Sequence, residues 1–422
     1  MNSRREVVVT GLGVVSPIGI GGDAFWASLL AGRSGIRPIE QFDASSLSVP
    51  FGGEVADFDP KLWVRPRKSL KVMSREIQFG FAAADLAMAD AGLVPGVLEP
   101  ERFGVVGGGD MIYADLEEME RTYRRALAGG GFDFSVWSEA IHEDLHPLWL
   151  LKHLPNMTAS HIAIAHDARG PNNTIVLGDV SGLLAIGEAA SVIRRGWADV
   201  MLAGGSGCRL HPMALVARGD ALLSHRRDDC TRASRPFDLD RDGLVNGEGA
   251  GMFVLESRDH ALRRGARIRG HLLSATSRCE PAVGGVRLSG SALRLAIRAA
   301  LGQAGIEPGG LGHVNAHGAS TMEMDRVEAT AIVAELGDIP VTAPKSAFGH
   351  LGAGGGAVEL AASILGLEAG LIPATLNYDA PDPDCPVNVV HREPLAGRAG
   401  TVLAVNLCST GQAAAVVVAA ER

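Results

Sequence analysis

The order of apolar and helical segments predicts an α/β protein. Short apolar runs at 7–10, 103–106, 174–177, 200–203 and 251–255 read as strands. Longer stretches at 75–91, 183–194, 291–304, 325–336 and 356–368 carry helical periodicity. Strands alternating with helices argue for stacked α/β layers. The chain has 422 residues, 46% of them hydrophobic, enough for a large core and two similar halves. Periodicity alone does not distinguish among α/β architectures.

Taken in order, Val7-Val8-Val9-Thr10 opens as a strand, and Gly11, Gly13 and Pro17 break the apolar run that follows. That pattern suits a strand and turn better than a signal peptide. No uninterrupted apolar run is long enough to span a bilayer. The run 174–177 reads as a buried strand, Gly178-Asp179-Val180-Ser181-Gly182 as a tight turn, and the residues after it as an amphipathic helix. A side chain at such a turn points at the helix N-terminus, where partial positive charge stabilises an anion. The charged segment 256–267 is read as an exposed boundary between halves 1–256 and 257–422. Neither a sequence repeat between the halves nor a low-complexity linker is visible, so the halves are expected to share one core.

A net charge of −9 argues against nucleic acid or an anionic membrane as main partner. Two basic groups stand out, Arg65, Arg67, Lys68 and Lys71, and Arg121, Arg124 and Arg125. Each is either a docking patch for an acidic partner or a solvated helix face, the second being the commoner outcome. Five cysteines, Cys208, Cys230, Cys279, Cys385 and Cys408, are scattered without metal-ligand spacing. An odd, scattered set suggests reduced thiols in a cytoplasmic protein and no metal site.

Six separated blocks, in order, resemble the elongating β-ketoacyl-acyl-carrier-protein synthases of the thiolase superfamily. They are the opening strand to Gly19, Pro155-Asn156-Met157 with Gly170-Pro171-Asn172, the turn at 178–182, and Arg235-Pro236-Phe237-Asp238 running into 243–251. The last two are Asn315-Ala316-His317-Gly318-Ala319-Ser320-Thr321 and Lys345-Ser346-Ala347-Phe348-Gly349-His350. The resemblance implies a five-layer α-β-α-β-α fold built from two related halves. It also implies a substrate carried on the phosphopantetheine of an acyl carrier protein, and no bound cofactor. His317 and His350 match the histidines that donate to the malonyl thioester carbonyl as enolate charge develops. Lys345 matches the nearby lysine, and Glu328 the acidic residue that accompanies it. Singly, each would be a polar residue in a glycine-rich turn; as a set they point to inherited active-site geometry.

Asp179 stands where the family carries its nucleophilic cysteine. A thiolate attacks thioesters well at neutral pH, whereas a carboxylate is a weak nucleophile whose product would be a high-energy mixed anhydride. Three roles stay open for Asp179: a partner of His317, His350 or Lys345 in a silent site, a protonated donor if burial raises its pKa, or a base for thioester hydrolysis. Other positions depart in the same direction. Thr410 replaces the aromatic of a Gly-Phe-Gly-Gly-type loop that gates the acyl pocket. Ala319 replaces a threonine that helps bind phosphopantetheine, leaving Ser320 and Thr321 as candidate substrate contacts. Asp110 falls near a position that lines the acyl tunnel, where a charge penalises an alkyl chain.

Family relatives lacking the cysteine include chain-length factors, which pair with an active ketosynthase, and decarboxylating ketosynthases, which keep the histidines. The sequence therefore suggests a ketosynthase-like, non-elongating subunit of a type II fatty-acid or polyketide system. It would form a homodimer, or a heterodimer with an active ketosynthase, paired through the strand near 174–177. The alternative is an enzyme that uses His317 and His350 to decarboxylate malonyl-carrier or handle another acyl thioester.

Overall fold

The computed structural model describes residues 5–94, 96–281, 288–397 and 400–421. Ten strands and six helices position the site. In the first half these are β1 (Val7–Ser16), α1 (Arg75–Asp90), β2 (Phe103–Gly108), α2 (Met157–His166), β3 (Asn172–Ile175), α3 (Ser181–Arg194), β4 (Val200–Cys208) and β5 (Glu248–Ser257). The second half repeats the series with β6 (Gly270–Cys279), α4 (Ser291–Ala304), β7 (His313–Asn315), α5 (Met322–Leu336), β8 (Pro340–Thr342), α6 (Gly355–Ala369), β9 (Thr401–Leu407) and β10 (Gln412–Ala419).

The repeat that the sequence hides is plain in the topology. Strand order is β1-β5-β4-β2-β3 in the first half and β6-β10-β9-β7-β8 in the second. In both, the first two pairings are antiparallel and the last two parallel. The halves join where β1 meets β6 through two residue pairs, Val8 with His271 and Val9 with Gly270. Helix α1 packs on β1 and β5, and α4 packs on β6 and β10. Helices α3 and α6 touch each other and contact strands of both halves, forming the middle layer. The result is the five-layer thiolase-like arrangement. One apolar core containing Val7, Phe253, Leu183, Val358, Val402 and Val416 runs through both halves.

The middle helices are apolar nearly all round, as double-sided burial requires. In α6 every residue from Gly355 to Gly366 is buried, including Glu359. Glycine lets the layers close: a Cβ on Gly205 would stand 2.3 Å from the Ala353 carbonyl oxygen, and one on Gly182 2.7 Å from it. The turn before α6 is thereby seated directly on β4 and α3.

Two expectations need correction. The strand expected at 174–177 runs at Asn172–Ile175, at the sheet edge, with Asn172 and Asn173 exposed. Val176 and Leu177 leave the ladder and are 48% and 43% exposed. The Ser181 hydroxyl accepts the Leu177 N–H at 2.8 Å and donates to the Gly178 carbonyl at 2.7 Å, so the chain is committed to the turn by then. Within the segment 256–267, Glu256 is fully buried, not exposed. It accepts from Thr10 at 2.5 Å and pairs with His260 at 2.6 Å and with Arg264. Among the described residues, no helix is long and apolar enough to cross a membrane.

Candidate active site

Three segments, each following a strand of the parallel part of a half-sheet (β3, β7 and β8), deliver the site. Asp179 lies in the single turn Gly178–Val180 that leads into α3, with Gly178 at φ +60°. His317 follows β7, where Gly318 and Ser320 take φ +49° and +65°. Lys345 follows β8, and His350 sits beyond the short helix Lys345–Phe348, its N–H bonded to the Val245 carbonyl at 2.7 Å. Asp179, His317, Lys345 and His350 are all buried. The two imidazoles stand edge-to-face with ring centroids 5.4 Å apart.

Asp179 is held by two partners. One carboxylate oxygen pairs with the Arg209 guanidinium, and the other lies 3.5 Å from His350 Nε2. Burial would raise the Asp179 pKa, but the charge of Arg209, then His350, outweighs it and holds the group well below the ordinary carboxylate value. Asp179 is therefore an anion at neutral pH, which removes the protonated-donor role. An arginine-paired carboxylate is also a poor base, which weakens the hydrolytic role.

The histidines are neutral. Burial, and then Lys345, pushes His317 well below its usual value. Burial, and then Arg209, brings His350 down to about 4. His350 Nδ1 accepts the Gly352 N–H at 3.2 Å, so its ring proton must sit on Nε2, the nitrogen facing Asp179. His317 Nδ1 lies 3.4 Å from the Asn406 amide nitrogen, and its buried Nε2 has no partner. A neutral histidine can donate its Nε2–H to a developing oxyanion; that of His350 faces Asp179 and that of His317 is without a partner among the described residues.

Asp179, His317 and His350 bring potential ligand atoms within 4.8 Å of one another. The donor set does not fit a metal. A ligating imidazole nitrogen must be unprotonated, and the Gly352 N–H forces the His350 proton onto Nε2.

Lys345 pairs with Glu359, a residue that motif reading missed. The other Glu359 oxygen accepts from Asn406 at 2.7 Å. Glu328 holds the backbone instead, accepting the His317 and Gly318 N–H groups at 2.6 and 2.8 Å. Burial pushes the Glu328 carboxyl up to about 8 against those two donors. Arg209 was also missed. It follows β4 with no motif around it, and its only advance signal is that Asp110 and Asp179 each need a cation once buried.

The candidate substrate contacts divide. Ser320 is fully buried and its hydroxyl accepts the Arg235 N–H at 2.9 Å, so it is committed to its own loop. Thr321 caps α5 and, with Met322, Leu222, Asp242 and Ser409, lines a cavity of about 560 Å³. Thr410 is exposed and contacts Gln412 at 2.5 Å and Cys408 Sγ at 3.1 Å. Asp110 pairs with Arg218 at 2.9 Å.

The two basic groups also separate. Arg121, Arg124 and Arg125 are paired with Asp144, Glu120 and Glu143. Arg65, Arg67, Lys68 and Lys71 are exposed, and none has a carboxylate partner among the described residues.

Comparison with known proteins fits this geometry. The family model for the beta-ketoacyl synthase N-terminal domain matches residues 4–261, and that for the C-terminal domain matches 266–379. A 3-oxoacyl-[acyl-carrier-protein] synthase 2 of Synechocystis is 36% identical over 92% of this chain and 91% of its own. An oxytetracycline polyketide putative beta-ketoacyl synthase 1 of Streptomyces rimosus is 37% identical over 97% of this chain and 95% of its own. A solved ishigamide ketosynthase/chain length factor superposes with a TM-score of 0.86 at 32% identity, covering 100% of both chains.

Proposed function

Because the chain belongs to the beta-ketoacyl synthase family, we propose that it is a non-elongating, ketosynthase-like partner subunit of a type II fatty-acid or polyketide system. The observation that carries this reading is the buried ion pair between Asp179 and Arg209. It puts a fixed anion, already spent on an arginine, where the reaction requires a free thiolate.

The partners follow from surface chemistry. An acidic acyl carrier protein suits the unpaired Arg65, Arg67, Lys68 and Lys71. A ketosynthase homologue, or a second copy of this chain, suits the edge strand β3, beside which Val176, Leu177 and the 76%-exposed Ile164 offer apolar surface. Light scattering with and without a co-expressed cysteine-bearing ketosynthase tests the pairing; a monomer under both conditions rejects it.

One observation favours an active alternative, malonyl-carrier decarboxylation. Arg209 neutralises Asp179, so the repulsion between Asp179 and a malonyl carboxylate is largely cancelled, and both Nε2–H donors survive. A carbon dioxide release assay with malonyl-carrier decides between the two. The partner-subunit reading expects the uncatalysed background for wild type, His317→Ala and His350→Ala. The decarboxylase reading expects turnover that falls on the order of a hundredfold in either histidine variant. Intact-mass spectrometry should show no acyl adduct at residue 179 after exposure to acyl-carrier thioesters.

A further inference from the structure

The two histidines face different neighbours at Nδ1. For His350 the neighbour is a backbone donor, the Gly352 N–H. For His317 it is a side chain, the amide nitrogen of Asn406 on β9, at 3.4 Å. The partners of Asn406 fix which way its amide is turned. Nδ2 donates to Glu359 Oε2 at 2.7 Å and to the Val405 carbonyl at 2.8 Å. Turned the other way, the amide would set its own oxygen against those two acceptors. The orientation is kept although Asn406 Oδ1 is buried without a partner. That oxygen lies against Gly356 of α6, where a Cβ would come within 2.0 Å of it.

An amide nitrogen carries two N–H bonds and offers no lone pair. Both N–H bonds of Asn406 are spent, on Glu359 and on Val405. A proton on His317 Nδ1 would therefore point at a group that cannot accept it, and a buried donor without an acceptor pays its full desolvation cost. With the proton on Nε2, Nδ1 turns a lone pair to the positive side of the amide. Glu359 is in turn fixed by Lys345, with which its other oxygen pairs. Lys345, Glu359, Asn406 and His317 thus form one series of side chains, none more than 2% exposed.

We propose that Asn406 is a positioning residue for His317: its amide, turned by Glu359 and the Val405 carbonyl, bars the ring proton from Nδ1 and holds it on Nε2 as a donor. Asn406 acts through the imidazole. The Lys345–Glu359 pair then does more than stabilise the fold, because it helps to fix the direction in which the Asn406 amide faces. This goes beyond the functional reading above, since the tautomer is set in the resting protein and is the same in a silent subunit and in a decarboxylase.

The test is ¹⁵N NMR of the full chain labelled at its histidines, which reads the tautomer because protonated and unprotonated ring nitrogens resonate in separate ranges. The His317 signals are assigned by their loss in His317→Gln. In wild type at neutral pH, His317 is expected to show an unprotonated Nδ1 and a protonated Nε2; a protonated Nδ1 overturns the proposal. Asn406→Asp puts an oxygen with lone pairs where the amide nitrogen stood, and His317 Nδ1 is expected to be protonated in most molecules. A residue that served only for packing would leave the Nδ1 signal at its wild-type position, so an unprotonated Nδ1 in this variant also overturns the proposal. Should two adjacent carboxyl groups keep Asn406→Asp from folding, the exchange Glu359→Gln/Asn406→Asp retains one carboxylate and one amide at the two positions and is judged by the same criterion.

Discussion

The two halves share strand order and direction, yet each places a different buried ion pair in the site. In the second half Lys345 pairs with Glu359 on the apolar helix α6, and Asn406 ties down the other carboxylate oxygen. In the first half Asp179 pairs with Arg209, and that pair leans outward on Asp110 and Arg218. The Lys345–Glu359 pair is buried on both sides; the Asp179–Arg209 pair is one end of a chain that reaches solvent. The second half carries His317 and His350, the candidate oxyanion donors, beside a self-contained ion pair. The first half carries Asp179, at the candidate nucleophile position, in a salt bridge that continues to Asp110 and Arg218.

Breaking the closed pair should have the largest effect. Glu359→Ala strands Lys345, whose side chain is 3% exposed, and also deprives Asn406 of one acceptor. Removing one partner of a buried pair costs about 3–5 kcal/mol. Denaturant unfolding should show a loss in that range, and a loss below about 1 kcal/mol, the scale of a surface pair, would mean that water or another group takes over for Glu359.

The second pair should prove softer and sensitive to pH. In Arg209→Ala, Asp179 keeps only the two histidines nearby, while Asp110 leans towards Arg218 and solvent. A loss of about 2–3 kcal/mol at neutral pH is expected, below the closed-pair value. The sign with pH follows from Asp179. Its folded pKa lies well below 3.8, so wild type holds this contribution above about pH 4 and loses it as the pH falls through the folded value. In the variant burial is opposed only by His350 and His317, and the pKa rises. The stability gap between the two proteins should therefore be widest at neutral pH and narrow as the medium is acidified. A gap that is constant with pH would assign the loss to packing.

The same contrast explains what was legible in the sequence. Asp179, His317, Lys345 and His350 were visible because each lies in a glycine-punctuated loop whose local pattern carries the resemblance. Five of the six helices that position the site were legible nearly to their ends, since caps such as Thr321 and glycines such as Gly305 and Gly370 mark them, whereas α2 was not read. Arg209 and Glu359 were not, because their meaning depends on partners 30 and 14 positions away. Glu359 did leave a trace: the one acid inside the apolar run Gly355–Gly366 must find a buried cation. The twofold repeat was invisible because it survives in strand order and direction, which side-chain identity does not record.

The smallest effect on stability, and the sharpest on chemistry, is expected from Asp179→Cys. The thiol would stand at the start of α3 beside Arg209, which keeps Asp110 as a partner at 3.8 Å. Burial favours the neutral thiol, but the guanidinium and the helix N-terminus favour the thiolate. The same surroundings hold Asp179 well below its ordinary value despite burial, so the charge should prevail again. The pH midpoint for iodoacetamide alkylation at residue 179 should fall at least about one unit below the ordinary cysteine value near 8.5. Adding Arg209→Met should move it back up. Elongation should nevertheless stay absent in the single variant, because Arg209, Asp110 and Thr410 still depart from a site that accepts an alkyl chain. A midpoint at or above the ordinary value would show that Arg209 serves Asp110 first. The first-half ion pair would then be a consequence of the Arg209–Asp110 contact and not its anchor.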